Sequence, residues 1–340
     1  MKPTTPVTVL TGFLGSGKTT LLGRSLADPS TRDTAVLINE VGEIAIDQDL
    51  IQCVREDLVV LASGCVCCSV RNDLVRALCE LHVKAERGEI PRFSRVVVET
   101  TGLADPTPIV GTLAKHGLLR TVFHLSNLVT AVDATLGSRN LTSHAEAVKQ
   151  VALADRLLVT KTDLADAHTI EALERRLHGA NPLARRARAR NGAVEAGGER
   201  EEGRTLLAWA TDTALAAEPP PALHEHAHAH EHAHEHAHER VLTFSETLEE
   251  PVDYQAFALW LSMSTQLHGE HLLRVKAILQ VVDDPLPVVA QAVQHVVYPV
   301  TTLPSWPFSP RASRIVVIAR GLDQELLDAL RRSLRSVVSE

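Results

Sequence analysis

Three thiols crowd into the run "GCVCCSV" at Gly64–Val70: Cys65, Cys67 and Cys68 lie within four residues, in a chain with two other cysteines, Cys53 and Cys79. Such a cluster could carry electrons, hold a metal or pack into a core. Cys65 and Cys68 have C-x-x-C spacing, but a redox pair wants a thioredoxin-like setting and leaves Cys67 surplus. Three thiolates plus one nearby acid or imidazole make a tetrahedral site for a soft or borderline cation. Alternation along an extended segment puts Cys65 and Cys67 on one side and lets Cys68 turn in. Glu43 is the nominated fourth ligand. Metal binding is the favoured reading, ahead of buried structural cysteines and a redox pair. Cys79, placed on a helix among Val75, Leu78 and Leu81, reads as core, and Cys53 takes the same plain reading.

A second concentration of ligands lies far along the chain. Residues 224–238 hold eight of the 17 histidines: His224, His226, His228, His230, His232, His234, His236 and His238. They alternate with Ala or Glu, so many pairs could close on one divalent ion, as in other His-rich tracts. The run is neither terminal nor contiguous, unlike a purification tag, and a merely polar linker would not need eight imidazoles.

The third chemical signal binds phosphate. "GFLGSGKT" at Gly12–Thr19 fits G-x-x-x-x-G-K-[ST], with a strand expected before it and a helix after. Gly12, Gly15, Ser16, Gly17, Lys18, Thr19 and Thr20 are the candidate contacts. Backbone N–H groups at a helix N-terminus cradle phosphates. Lys18 would reach the β- and γ-phosphates, and the Thr19 hydroxyl would bind Mg²⁺. "VVVETTG" supplies a second phosphate motif, with Glu99 toward Mg²⁺ through water and the Gly102 N–H toward the γ-phosphate. Leu103 follows Gly102, with no water-orienting Gln nearby, so slow intrinsic hydrolysis is expected. "TKTD" at Thr160–Asp163 ends a further strand, as a guanine-specificity loop does. Asp163 would accept from guanine donors that adenine lacks, and Lys161 would lie along the base. Thr160 stands where Asn is commoner, which leaves one polar contact open.

These residues need a scaffold. Apolar runs "PVTVLTG", "TAVLINE", "LVVLASG", "SRVVVETTG", "LVTAVDA" and "RLLVTKTD" alternate with helical patterns such as "NDLVRALCELHVKAERG", where Gly88 would cap. Near-continuous apolar strands separated by helices imply a mainly parallel sheet covered on both faces. The predicted class is α/β: a P-loop NTPase domain with a mainly parallel sheet over 1–200, a His-rich linker over 201–240, and a smaller α+β C-terminal domain over 241–340. The basic run "RRARAR" at Arg185–Arg190 opens the compositionally shifted stretch and reads as solvated.

Composition bounds the partners. A net charge of −8 argues against a nucleic-acid or anionic-membrane surface. No apolar run approaches the roughly 18 residues that span a bilayer. No export signal is legible at the N-terminus, so a reducing cytoplasmic setting is expected, where clustered thiols serve metals more often than disulfides.

Taken in order, "TGFLGSGKTTLL", "NEVGEIAID", "GCVCCSV", "ETTGLADP" and "TKTDL" resemble the CobW-like metallochaperone GTPases, and "LLRVKAILQV" with "QAVQHVVYP…SWP" resembles that family's C-terminal domain. The sequence departs at Ala277, where Gly is usual, and at Thr160. The resemblance implies a Mg²⁺-dependent GTPase that binds a transition metal at Cys65, Cys67 and Cys68 and passes it to a client metalloprotein. Zn²⁺ is the expected cargo, with Co²⁺, Ni²⁺ or iron insertion as the alternative. A metal buffer with a vestigial GTPase is the rival class, and a small-molecule kinase finds no substrate motif. A homodimer is compatible with all of these.

Overall fold

The computed structural model describes residues 4–39, 59–63, 70–195, 202–210, 241–282 and 284–338. Contacts divide the chain into two compact units, residues 1–177 with 184–213 and residues 178–183 with 214–340.

The first unit runs β1 (Thr5–Thr11), α1 (Lys18–Leu26), a 3₁₀ turn (Pro29–Thr31), β2 (Thr34–Asn39), β3 (Val59–Ser63), α2 (Val70–Glu86), β4 (Arg95–Glu99), α3 (Thr107–Lys115) and the one-turn α4 (Leu119–Val122). It continues with β5 (Phe123–Asp133), α5 (Gly137–Ser143), α6 (Ala145–Leu153), β6 (Arg156–Thr160), α7 (Ala167–Ala180), β7 (Arg185–Arg190), β8 (Ala193–Glu195), β9 (Glu202–Arg204) and α8 (Leu206–Ala210). The sheet order is β3-β2-β4-β1-β5-β6-β7-β8-β9. Pairing is parallel from β3 through β7 and antiparallel at β7–β8 and β8–β9. Val7, Val9, Leu10, Val96, Val129 and Leu157–Val159 are all fully buried. A strand covered on both faces has no polar side to alternate with, which is why these runs are continuously apolar. Helix α2 ends as expected at Gly88, whose φ of 72° is the left-handed conformation of a helix stop.

The "RRARAR" run corrects the reading of a solvated segment. It is strand β7, hydrogen-bonded parallel to β6. Ala187 and Ala189 point into the core beside the fully buried Trp209, while Arg188 and Arg190 point outward. Arg188 makes a bidentate pair with Glu174 at 2.8 and 2.7 Å. The period-2 alternation was present, but small alanines made a weak apolar signal beside four charges. The first sheet also continues beyond residue 200: β9 pairs with β8, and in α8 the Leu207 N–H donates to Ser25 Oγ at 3.1 Å.

The second unit holds β10 (Val241–Leu248), α9 (Tyr254–His268), β11 (Leu272–Leu279), β12 (Val288–Val293), β13 (Val296–Val297), β14 (Thr301–Thr302), β15 (Ser313–Arg320) and α10 (Gln324–Arg335). Its sheet, β10-β15-β11-β12-β13 with β14 on β12, is antiparallel throughout. Asp253 caps α9 and Asp323 caps α10, each accepting a first-turn N–H at 2.7 Å. Phe257, Leu261, Leu327, Leu330 and Leu334 from these helices join one buried cluster with β11 and β15. No described helix is long and apolar enough to cross a membrane.

Candidate nucleotide site

The site forms where β1, β4, β5 and β6 end, at the carboxyl edge of neighbouring strands, the usual ligand position in open α/β sheets. After Thr11 the chain must turn sharply beneath β5. Gly12 has φ 141°, and a Cβ there would stand 2.3 Å from the Ala131 carbonyl oxygen, so no other residue fits without moving the sheet. Ser16 N–H closes the turn on the Phe13 carbonyl at 3.1 Å. Gly17, left-handed at φ 85°, starts α1 directly. The loop therefore presents backbone N–H groups and a helix N-terminus to one point, an anion-binding arrangement.

Lys18 is 8% exposed, and its Nζ donates to the Gly12 carbonyl at 2.9 Å. Thr19 Oγ1 donates to Glu99 Oε1 at 2.7 Å. Glu99 is buried at the end of β4, in register with Leu10 of β1. Thr100 is tied to β1 twice, through its N–H to the Leu10 carbonyl and through its hydroxyl to Thr11 Oγ1 at 2.8 Å. A Cβ on Gly102 would stand 2.6 Å from the Leu14 nitrogen, so the second phosphate loop lies directly on the first. The structure thus brings Lys18, Thr19, Glu99 and Gly102 into one place.

The Thr160–Asp163 loop joins from β6. Thr160 Oγ1 donates to the Ser16 carbonyl at 2.8 Å, so the residue that left a contact open in sequence ties this loop to the phosphate loop. Lys161 sits at φ 56° and its Nζ pairs with Asp133 Oδ2 at 2.7 Å. Asp163 is exposed. Asp133 was not anticipated, although it ends a buried apolar strand as Glu99 does. Burial pushes its carboxyl up, but the Lys161 ammonium and hydrogen bonds from the Thr135 N–H and hydroxyl outweigh this and hold it below the usual carboxylate range. A depressed folded-state value means stability present above the unfolded carboxylate pKa and lost as pH falls through the folded one. Asp133→Asn is therefore expected to cost about 1–3 kcal/mol at neutral pH, with the low end favoured because Lys161 is partly exposed. The gap to the parent should close as pH drops below about 4, the ordinary aspartate value. Denaturant midpoints of both proteins across that range check this, and a pH-independent gap rules out an ionised pair.

Glu43, Cys65, Cys67, Cys68 and Cys53 lie outside the described residues, as do His224, His226, His228, His230, His232, His234, His236 and His238. Among the described residues no group of three or more His, Cys, Asp or Glu could hold a metal ion. Cys79 is half-buried on α2 between the fully buried Leu78 and Leu81, and burial pushes its thiol pKa up, away from the reactive thiolate form.

Sequence reasoning also missed Gln150. It lies on the buried face of α6 with Ala147 and Val151, and its Nε2 donates to the carbonyls of Gly102 and Ala104. An amide on an otherwise apolar helical stripe was the available signal.

Comparison with known proteins agrees with this fold. The sequence model of the CobW/HypB/UreG nucleotide-binding domain matches residues 6–187, and that of the cobalamin synthesis protein cobW C-terminal domain matches residues 241–337. The zinc chaperone YjiA of Escherichia coli is 42% identical over 159 residues, covering 47% of this chain and 50% of the relative. The zinc-regulated GTPase metalloprotein activator 1 of Schizosaccharomyces pombe is 34% identical over 187 residues, covering 53% of this chain and 44% of the relative. The chain spans about half the length of the curated relatives it matches. A crystal structure of a Zn(II)-bound triple mutant of YjiA GTPase superposes with a TM-score of 0.72 at 25% identity, covering 99% of this chain and 100% of that one.

Proposed function

The chain belongs to the CobW/HypB/UreG nucleotide-binding family, and from that premise we propose that it is a GTP-hydrolysing metal chaperone, with zinc as cargo and a client metalloprotein as recipient. The observation that carries the reading is the meeting of Lys18, Thr19, Glu99 and Gly102 at the ends of β1 and β4. In the proposed roles Lys18 balances the β- and γ-phosphate charge and the Gly102 N–H faces the γ-phosphate. The Thr19 hydroxyl and Glu99 carboxylate are hard oxygen donors 2.7 Å apart, a pair that suits Mg²⁺. When bound, Mg²⁺ would neutralise charge on the phosphate oxygens. The thiols at 65, 67 and 68 are the proposed cargo site, with Glu43 as the nominated fourth ligand. The eight histidines are the proposed collecting surface, and a reducing cytosol would keep the thiols free. GTP turnover measured with and without zinc tests the reading. Zinc affinity indifferent to nucleotide would instead favour a buffer.

Base choice gives a separate test. Asp163 is exposed beside the loop that Thr160 fixes, where it can meet the guanine edge. Asp163→Asn is expected to lose GTP affinity by at least about tenfold, since one charge-assisted pair to guanine is worth roughly 1.5–3 kcal/mol. Equal affinity of the parent for GTP and ATP would remove this role from Asp163.

A further inference from the structure

Helix α6 touches both phosphate loops, although it carries no recognised motif. At its start the His144 ring stacks on Phe13 of the first loop, with centroids 4.4 Å apart and planes at 27°. At its middle Lys149 pairs with Asp105 at 2.6 Å. The next residue, Gln150, is 1% exposed and donates from Nε2 to the Gly102 carbonyl at 3.1 Å and the Ala104 carbonyl at 3.0 Å. Its other amide atom, Oε1, is buried with no hydrogen-bond partner among the described residues, and so is Ser16 Oγ of the first loop. Both side chains border the same cavity of about 10 Å³. A cavity of roughly that size holds at most one water, which needs at least two polar partners. Gln150 offers it an acceptor and Ser16 a donor.

We infer that Gln150 is a positioning residue of the nucleotide site, holding the Gly102 loop by its carbonyls and joining it to the first phosphate loop across one bridging water. This rests on the hydrolytic function proposed above. The peptide whose carbonyl Gln150 holds and the peptide whose N–H is assigned to the γ-phosphate meet at the Gly102 Cα, with only φ and ψ of Gly102 between them. Pinning one restrains the other. Leu14 stands directly against Gly102, which leaves the loop little room to shift onto the first loop when Gln150 lets go. A primary amide is suited to the task because it carries two donors and an acceptor in one neutral group. Gln150 is buried and engaged with carbonyls, so it does not itself orient the attacking water. Its effect should fall on the step that needs the γ-phosphate and spare the binding of a diphosphate.

The test compares the full chain with Gln150→Met, which keeps volume but removes all three hydrogen bonds, and Gln150→Glu, which keeps an acceptor but loses the donors when ionised. Affinity for a fluorescent GDP is expected to stay within about twofold in both variants. Single-turnover GTP hydrolysis is expected to fall roughly tenfold to a hundredfold, the scale of a small misplacement near the chemistry. Burial raises a glutamate pKa, to about 8–9 in the most buried cases, and the acid donates once protonated, so hydrolysis by Gln150→Glu relative to the parent should rise as pH falls from about 10 to about 6. Gln150→Met should show no such recovery. Parent-like hydrolysis by both variants with GDP bound overturns the inference alone. Parallel loss of GDP and GTP affinity, or a flat pH profile for Gln150→Glu, also overturns it by showing a purely structural residue. A parent chain that binds neither nucleotide overturns the hydrolytic reading and this inference with it. If Gln150→Met fails to fold, the Gln150→Glu profile decides.

Discussion

Replacing Lys18 by alanine should lower GTP turnover by roughly a thousandfold, the scale reported for losing one strong charge-stabilising donor from a water-excluded site. The expectation rests on where the ammonium sits. Lys18 is 8% exposed, at the first position of α1, and its Nζ is held by the Gly12 carbonyl at 2.9 Å. Burying an ammonium is costly unless it is paired. Here a backbone carbonyl of the phosphate loop takes that part, and a phosphate would be a far stronger partner. The lysine's position is therefore prepared before any ligand arrives, and little reorganisation is needed at the reacting phosphate. Alanine keeps the helix and the glycine-dependent turn, so the loop should survive while the charge is lost. Multiple-turnover and single-turnover GTP hydrolysis, with a thermal melt to confirm folding, make the measurement. Normal hydrolysis in the alanine variant would take the phosphate role away from Lys18.

The phosphate loop was readable from sequence because its constraints are local. Gly12 is imposed by a carbonyl 2.3 Å from where its Cβ would be, Gly17 by a positive φ, and Lys18 and Thr19 follow within two residues. Strands β1, β4 and β6 were readable because burial on both faces leaves mostly apolar residues. Long-range polar ties left no such trace. Gln150 meets Gly102 across 48 positions, Lys161 meets Asp133 across 28, and Thr160 meets Ser16 across 144. Each residue type is ordinary at its own position, and only the fold makes the pair. Thr160 is the clearest case. Measured against a commoner residue it left one contact open, yet its hydroxyl reaches the phosphate loop from the end of β6, two strands from β1. Strand β7 failed for a different reason, since the core it enters needs only alanine-sized side chains there.

Serine at positions 67 and 68 should abolish the tightest zinc equivalent, whereas deleting residues 224–238 should leave it in place. The two ligand sets differ in what must be ordered before the metal binds. Three thiolates within four residues of one another, at 65, 67 and 68, present ligands already close together along the chain. Folded thiolate-rich zinc sites reach roughly 10–16 kcal/mol of apparent binding free energy at neutral pH. A serine hydroxyl does not ionise near neutrality and is a poor partner for a borderline cation, so two such changes should leave too few soft ligands to fill a tetrahedron. The eight alternating histidines are instead spread over residues 224–238, so enclosing one ion requires more of the chain to be fixed, at about 1–2 kcal/mol for each residue fixed. Many equivalent ligand pairs then give several weak equivalents and no single strong one. In the proposed chaperone the thiols, unlike the histidines, sense nucleotide, because they lie in sequence between the two phosphate motifs, Gly12–Thr19 and Glu99–Gly102. A competition titration against a zinc chelator, run beside a GTPase assay with and without zinc, reads both properties on both variants. The serine variant should lose the tight equivalent and the zinc response of turnover together. The deletion variant should lose several weak equivalents and keep both. A tight site that survives serine, or vanishes with the histidines, would reverse the assignment of cargo site and collecting surface.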